Sequence, residues 1–143
     1  FTASMAQEDD QSKWKVKKEL TTLDVVNHFV YLDMKDVEEH ILRHWNKDKI
    51  IRVRTDSTKI MVKDVDTNTT HAIHFRIYDY KPEANATLEG EWGWDFVTRR
   101  GLGAGDQIGI YYEKTGESEF CFSVLKKVAP SSASSIRPLS QTN

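Results

Sequence analysis

Five histidines, one cysteine and three clustered carboxylates are the residues here with the means to do chemistry. His40 and His44 stand four apart in a stretch that reads as helix, a spacing that can offer two ligands to one metal ion. A zinc site needs three or four convergent ligands, and His40 and His44 supply two. Residues 41–43 are Ile-Leu-Arg, so there is no H-E-x-x-H, and the single Cys121 excludes a CxxC pair. His71 and His74 lie three apart in a stretch that reads as strand, which sends them to opposite faces. Glu89, Glu91 and Asp95, interleaved with Trp92 and Trp94, have the composition of a nuclease metal site or a sugar-stacking groove. Near a helix start, however, acids are accounted for by the helix dipole. Gly101, Gly103 and Gly105 lack the strand-before, helix-after setting of a dinucleotide loop, and there is no nucleophile motif or P-loop. The expectation is a chain without catalytic residues, metal or cofactor, whose histidines are ordinary surface or half-buried side chains.

Binding is the other chemistry available. Lys plus Arg is 20 and Asp plus Glu is 22, a net charge of −2, whereas nucleic-acid-binding domains are usually basic. The cations are clustered: Lys13, Lys15, Lys17 and Lys18 early, then Arg43, Lys47, Lys49, Arg52, Arg54, Lys59 and Lys63. Acids gather at Glu8 to Asp10 and between Glu83 and Asp95. This leaves open both a basic face and a mixed, solvated surface. One cysteine permits no internal disulfide and fits a reducing compartment. No apolar run reaches the ~18 residues of a membrane span, so no membrane partner is expected. The acidic N-terminal stretch does not read as a secretory signal, and the sequons at Asn68 and Asn85 carry little weight without one. Met5 is read as the natural start, with Phe1 to Ser4 as a non-native remnant.

The elements that must position these residues are short. Residues 1–12 read as a disordered segment, 13–128 as one domain, and 129–143 as a disordered Ser/Pro-rich tail. Within the domain, Trp14 to Leu20 alternates as a first strand, Thr21 to Asn27 reads as a loop, and Phe29 to Leu32 as a strand. Asp33, with Asp36 three residues on, is placed to cap a helix carrying Val37, Ile41, Leu42 and Trp45 and ending near Asn46. Lys49 to Thr55 and Ile60 to Val65 read as two β-rich runs. Strands follow at Ile73 to Tyr78, Ala86 to Leu88, Gln107 to Tyr112 and Phe120 to Leu125. Seven or eight short strands with regular turns and two short helices predict a small, mostly antiparallel barrel.

The stretch from Thr87 to Tyr112, TLEGEWGWDFVTRRGLGAGDQIGIYY, is the most specific. Trp92 and Phe96 share one helix face, Gly101 follows Arg99 and Arg100 as a left-handed cap, and Gly103 to Asp106 make a tight turn. The run Trp92, Phe96, Val97, Leu102, Gly105, Asp106 resembles the W-x-x-F-V-x-x-x-x-L-x-x-G-D pattern of plant B3 DNA-binding domains, with one spacing difference at the front. Leu20-Thr21 with Asp24-Val25, Phe75-Arg76, and Leu88 with Gly90 fit the same pattern. The resemblance covers about Trp14 to Val128.

It implies a seven-stranded open pseudobarrel with two short α-helices, gripping the DNA major groove with two arms. These would fall at Thr21 to Lys35 and Tyr78 to Asn85. The DNA-binding residues so implied are Lys17, Lys18, Thr21, Asn27, His28, Tyr31, Lys35, Tyr80, Lys81, Asn85, Arg99 and Arg100. Implied partners are double-stranded DNA and other transcriptional regulators, and the implied location is the nucleus, although Lys15-Val16-Lys17-Lys18 is no strong import signal. The arms depart from the family: Met34 replaces a proline in the first, and the second has Lys81 as its single cation between Asp79 and Glu83. Specific reading of bases is therefore expected to be weaker than phosphate holding. The alternative is an interaction or dimerisation module on the same barrel, which predicts an exposed apolar patch.

Overall fold

The computed structural model describes residues 13–79 and 83–128. The flanks expected at 1–12 and 129–143 lie outside the described residues, as do Tyr80, Lys81 and Pro82 of the second arm. Seven strands make one sheet: β1 (Val16–Glu19), β2 (Val30–Leu32), β3 (Thr58–Asp64), β4 (Thr69–Asp79), β5 (Ala84–Glu89), β6 (Gln107–Thr115) and β7 (Ser118–Lys126). Their order is β1-β6-β7-β3-β4-β5-β2, antiparallel throughout except for the parallel β3–β7 pair. The edge strands β1 and β2 approach each other, so the sheet is a nearly closed barrel.

Alternation fills the barrel as the sequence predicts. Ile60 and Val62, Ile73, Phe75 and Ile77, Ala86 and Leu88, Ile108 and Ile110, and Phe120 and Phe122 all point inward and are buried. Aromatic contacts join the two ends of this core. Phe75 meets Trp45 and Phe120 edge-on, and Trp92 stacks on Phe96, which meets Phe122 edge-on at 4.8 Å. Each such buried side chain contributes about 1.5–3 kcal/mol of apolar transfer.

The helices differ from expectation. Lys49 to Thr55, read as a strand, belongs to a helix, α3 (Lys47–Thr55). Asn46 caps it by accepting from Lys49 N–H, Asp48 sits in its first turn, and Arg52 and Arg54 sit in its last. Ile50 and Val53, three apart, face the core, while Ile51 is exposed; that is helical, not strand, spacing. Thr21 to Asn27, read as a loop, contains α1 (Thr22–Val26) behind a complete capping box. The helix capped by Asp33, α2 (Met34–His40), ends before Ile41, and a single 3₁₀ turn, Leu42–His44, carries the chain to Trp45. The barrel thus carries several short helices rather than two.

Trp92–Thr98 is helical with a π turn: Arg99 N–H reaches Trp94 C=O and Leu102 N–H reaches Val97 C=O at 2.9 Å, both five residues back. A π turn is an α-helix with one residue inserted. It accounts for the spacing at the front of the motif, where Trp92 stands four rather than three residues before Phe96. The extra residue is absorbed in the wide turn, and both aromatic rings stay in the core. Deleting Gly93 should therefore be tolerated, with a change in thermal midpoint of only a few degrees, whereas deleting a core strand residue should unfold the domain. A thermal melt of the deletion variant checks this. Gly101 (φ +62°) then closes the helix in the left-handed region, as expected.

Candidate nucleic-acid interface

The first arm is built around Asp24. Thr21 and Asp24 cap each other: Thr21 N–H donates to Asp24 Oδ2 at 2.8 Å, and Asp24 N–H donates to Thr21 Oγ1 at 3.3 Å. The Asp24 carboxylate also accepts from Tyr31 N–H at 3.4 Å and lies 3.4 Å from Lys18 Nζ, while its backbone carbonyl accepts from Trp92 Nε1 at 2.8 Å. One buried aspartate thus ties β1, α1, β2 and the π-helical segment together. The apolar residues of α1 are displaced in consequence. Asp24 takes the inward position, and Leu23 and Val26 face solvent, 60% and 65% exposed.

Strand pairing then brings the arms side by side. Tyr31 on β2 lies opposite Thr87 on β5, and Thr87 lies opposite Arg76 on β4, so the three form a row on the outer face. Below them is a groove of about 470 Å³ lined by His28, Phe29, Tyr31, Tyr78, Asn85 and Glu89, among others. Phe29 and Tyr31 meet edge-on at 5.3 Å, and the Arg76 guanidinium lies over the Tyr78 ring at 4.5 Å. A second groove, of about 440 Å³, runs between the end of the first arm (Asp33, Met34, Lys35) and the base of the second (Glu83, Ala84, Asn85). Of the residues expected to bind DNA, His28, Tyr31, Lys35 and Asn85 are therefore brought together. Asn27 ends α1 beside them.

The others lie elsewhere. Lys17 is exposed on β1, opposite Gly109. Lys18 and Thr21 are engaged with Asp24. Arg99 and Arg100, expected on the DNA surface, converge instead on Asp64, which is fully buried. Arg99 Nη2 donates to Asp64 Oδ2 at 2.6 Å, and Arg100 Nη1 donates to both Asp64 oxygens at 2.9 and 2.7 Å. Arg100 also reaches Asp66, and Arg99 reaches Thr67 Oγ1. Burial opposes the charge on Asp64, but the hydrogen bonds and charges of the two arginines outweigh it and hold its carboxyl below the usual range. These guanidiniums bind the π-helical segment to the β3–β4 turn and have little left for phosphate.

Other expectations shift similarly. Asp79, one of the two acids flanking Lys81 in the sequence of the second arm, is held by Arg54 Nη1 at 2.6 and 2.8 Å, so α3 neutralises the arm's base. Glu89, read as an acid near a helix start, belongs to β5 and faces the groove, accepting from Tyr78 Oη at 2.5 Å and Thr87 Oγ1 at 2.8 Å. Asp95 lies 3.3 Å from His71 Nδ1. His40 and His44 fall on different elements, and His44 stacks on Tyr112. Asp36, Glu39 and His40 hold potential ligand atoms within 4.8 Å of one another on the surface of α2. Sequence reasoning missed Arg76, Arg54 and the role of Asp24. Only Asp24 had a local signal, since Thr-x-x-Asp is a capping pattern.

The geometry has counterparts among known proteins. A family model described as the C-terminal domain of B3 domain-containing protein At5g26805 matches residues 14–125. The B3 domain-containing protein At5g26805 of Arabidopsis thaliana is 37% identical over 114 residues, covering 78% of this chain and 70% of that protein. The putative B3 domain-containing protein At1g78640 of the same plant is 36% identical over 117 residues, covering 80% of this chain, which spans only 23% of that relative. Among solved structures, the Arabidopsis FUS3–DNA complex aligns with a TM-score of 0.61 at 23% identity, covering 78% of this chain and 96% of that one. The complex of Arabidopsis LEC2 with DNA aligns at 0.56 and 18% identity, covering 78% and 90%. The last two establish likeness of fold. The family model and the relatives carry the assignment: this chain belongs to the B3 domain-containing family.

Proposed function

We propose that the chain binds duplex DNA with its two arms, as part of a nuclear transcriptional regulator, holding phosphates more firmly than it reads bases. The observation that carries this is the joining of the arms through β2 and β5, which sets His28, Tyr31, Lys35 and Asn85 on one surface with Arg76 in the same row. The names of the two solved neighbours, both complexes with DNA, support it. Lys35 and Arg76 are the phosphate-holding cations of this reading. Asn85 and His28 are the base-edge donors, and Tyr31 is a stacking face. Tyr80 and Lys81, which the resemblance also implies, lie outside the described residues. Glu89, already accepting two hydroxyl hydrogen bonds, faces the groove as an acceptor and turns phosphate away from its floor.

Titration against random-sequence duplex DNA at low and at physiological salt tests the reading. Binding should be saturable and should weaken steeply with salt. Lys35→Ala and Arg76→Met should each weaken it across all sequences and reduce the salt slope by about one. Rounds of selection should give modest enrichment, because few bidentate donors face the groove and each good one is worth only about 1–3 kcal/mol. No binding at low salt, or an unchanged slope in both variants, overturns it.

A further inference from the structure

A negative charge in a groove that holds DNA costs affinity, yet Glu89 lines the groove between the arms. Its side chain is not loose. Tyr78 Oη and Thr87 Oγ1 both donate to Oε2, at 2.5 and 2.8 Å, and among the described residues nothing bonds Oε1. Two hydroxyls on one oxygen fix the carboxylate and leave the other oxygen to the groove. Phe29, Tyr31 and Tyr78 line the same groove, and an acceptor beside their rings is stronger than one in open water.

We propose that Glu89 reads a cytosine, its Oε1 accepting a hydrogen bond from the exocyclic N4 amino group at one position of the bound duplex. The inference rests on the DNA reading above and adds a base to it. A carboxylate can only accept. In the major groove only cytosine N4 and adenine N6 donate, whereas guanine O6 and N7 and thymine O4 would set acceptor against acceptor. The neighbouring atoms decide between the two donors. Adenine N6 has the N7 acceptor beside it, which the carboxylate repels. Cytosine N4 has the C5–H edge beside it, which an aromatic ring covers without loss. A phosphate is repelled outright. Asn85, expected at a base edge, lines the same groove four residues back on β5. At about 3.4 Å per residue the two positions lie about 14 Å apart, a span of about four base pairs, so both fit one short site.

The test is selection of random duplex DNA by the full chain, with the bound pools sequenced. At one position of the aligned site the wild-type pool should favour cytosine over guanine or thymine by about tenfold, with adenine between. A pyrimidinone lacking the amino group, placed there, should cost the wild type the same factor and Glu89→Ala nothing. Glu89→Gln gives the sharper result. Its amide oxygen keeps the hydroxyls of Tyr78 and Thr87, so its NH2 group takes the place of Oε1 and donates. Preference at that position should move to guanine or thymine. Removing the charge tightens binding to every sequence whether or not Glu89 touches a base, so base preference, not affinity, is the readout. A wild-type pool with no cytosine position overturns the inference and leaves DNA binding standing. So does a cytosine position that either variant keeps. A chain that binds no duplex at low salt overturns both readings.

Discussion

Asp24→Ala is expected to destabilise the domain by about 3 kcal/mol. Loss of the reciprocal cap with Thr21 accounts for about 1 kcal/mol. The rest comes from the loss of the other partners of this buried carboxylate, Tyr31 N–H and the partly exposed Lys18 ammonium, at roughly 1–3 kcal/mol for hydrogen bonds to a charged group. Chemical denaturation should show the midpoint fall without a change in slope. Asp24→Asn should cost less, because the amide oxygen can still accept from Tyr31, while the charge facing Lys18 is gone. The two variants should also differ in DNA binding. The alanine variant releases the first arm from β1 and should lose affinity beyond what its unfolded fraction explains. A loss of under 1 kcal/mol for alanine would mean that Asp24 is not the tie described above.

Asp64→Leu should cost about 2–3 kcal/mol. Breaking a buried ion pair by removing one partner typically costs about 3–5 kcal/mol. The lower figure applies here because Arg99 and Arg100 keep 28% and 17% of their side chains exposed and can turn toward water. The pH dependence carries the sharper signature. Asp64 has a folded-state pKa below its unfolded value, so its contribution is complete above the ordinary aspartate range of about 3.9 and is lost as pH falls through the lower folded value. The wild-type protein should lose stability across that acid window, and Asp64→Asn should show a shallower loss over the same window. Parallel acid limbs in a pH series of denaturation curves would contradict the assignment.

Much of this was legible in the sequence, and the failures have physical causes. The strands were legible where apolar residues recur at every second position about a single core, as in Ile73, Phe75 and Ile77. Lys49 to Thr55 misled because Ile50, Ile51 and Val53 are β-branched; the Asn46 cap and the terminal charges outweighed that weak propensity. The capping box at Thr21 was overlooked because its helix has only five residues. The interface was half legible. His28, Tyr31 and Lys35 of the first arm and Asn85 of the second, distant in sequence, line two adjoining grooves. Arg99 and Arg100 looked like free cations because nothing local announces Asp64, thirty-five residues upstream and buried. An ion pair between distant elements leaves no mark in spacing.

The position of β7 bears on how the molecule is made. It is the last strand in the chain yet lies inside the sheet, between β6 and β3, and among the described residues its strand pairing alone links β1 and β6 to the other four strands. Its parallel register sets Val62 against Phe120, a contact spanning more than a third of the chain. The ribosome must therefore release nearly the whole domain before the two halves can lock. Until then, the flank of β3 is an open strand edge. Folding should be slow for a domain of this size, because long-range closure precedes most of the stabilising contacts. A chain cut before Ser118 should not fold at all, because it leaves β1 and β6 without a strand to pair them to the rest of the sheet.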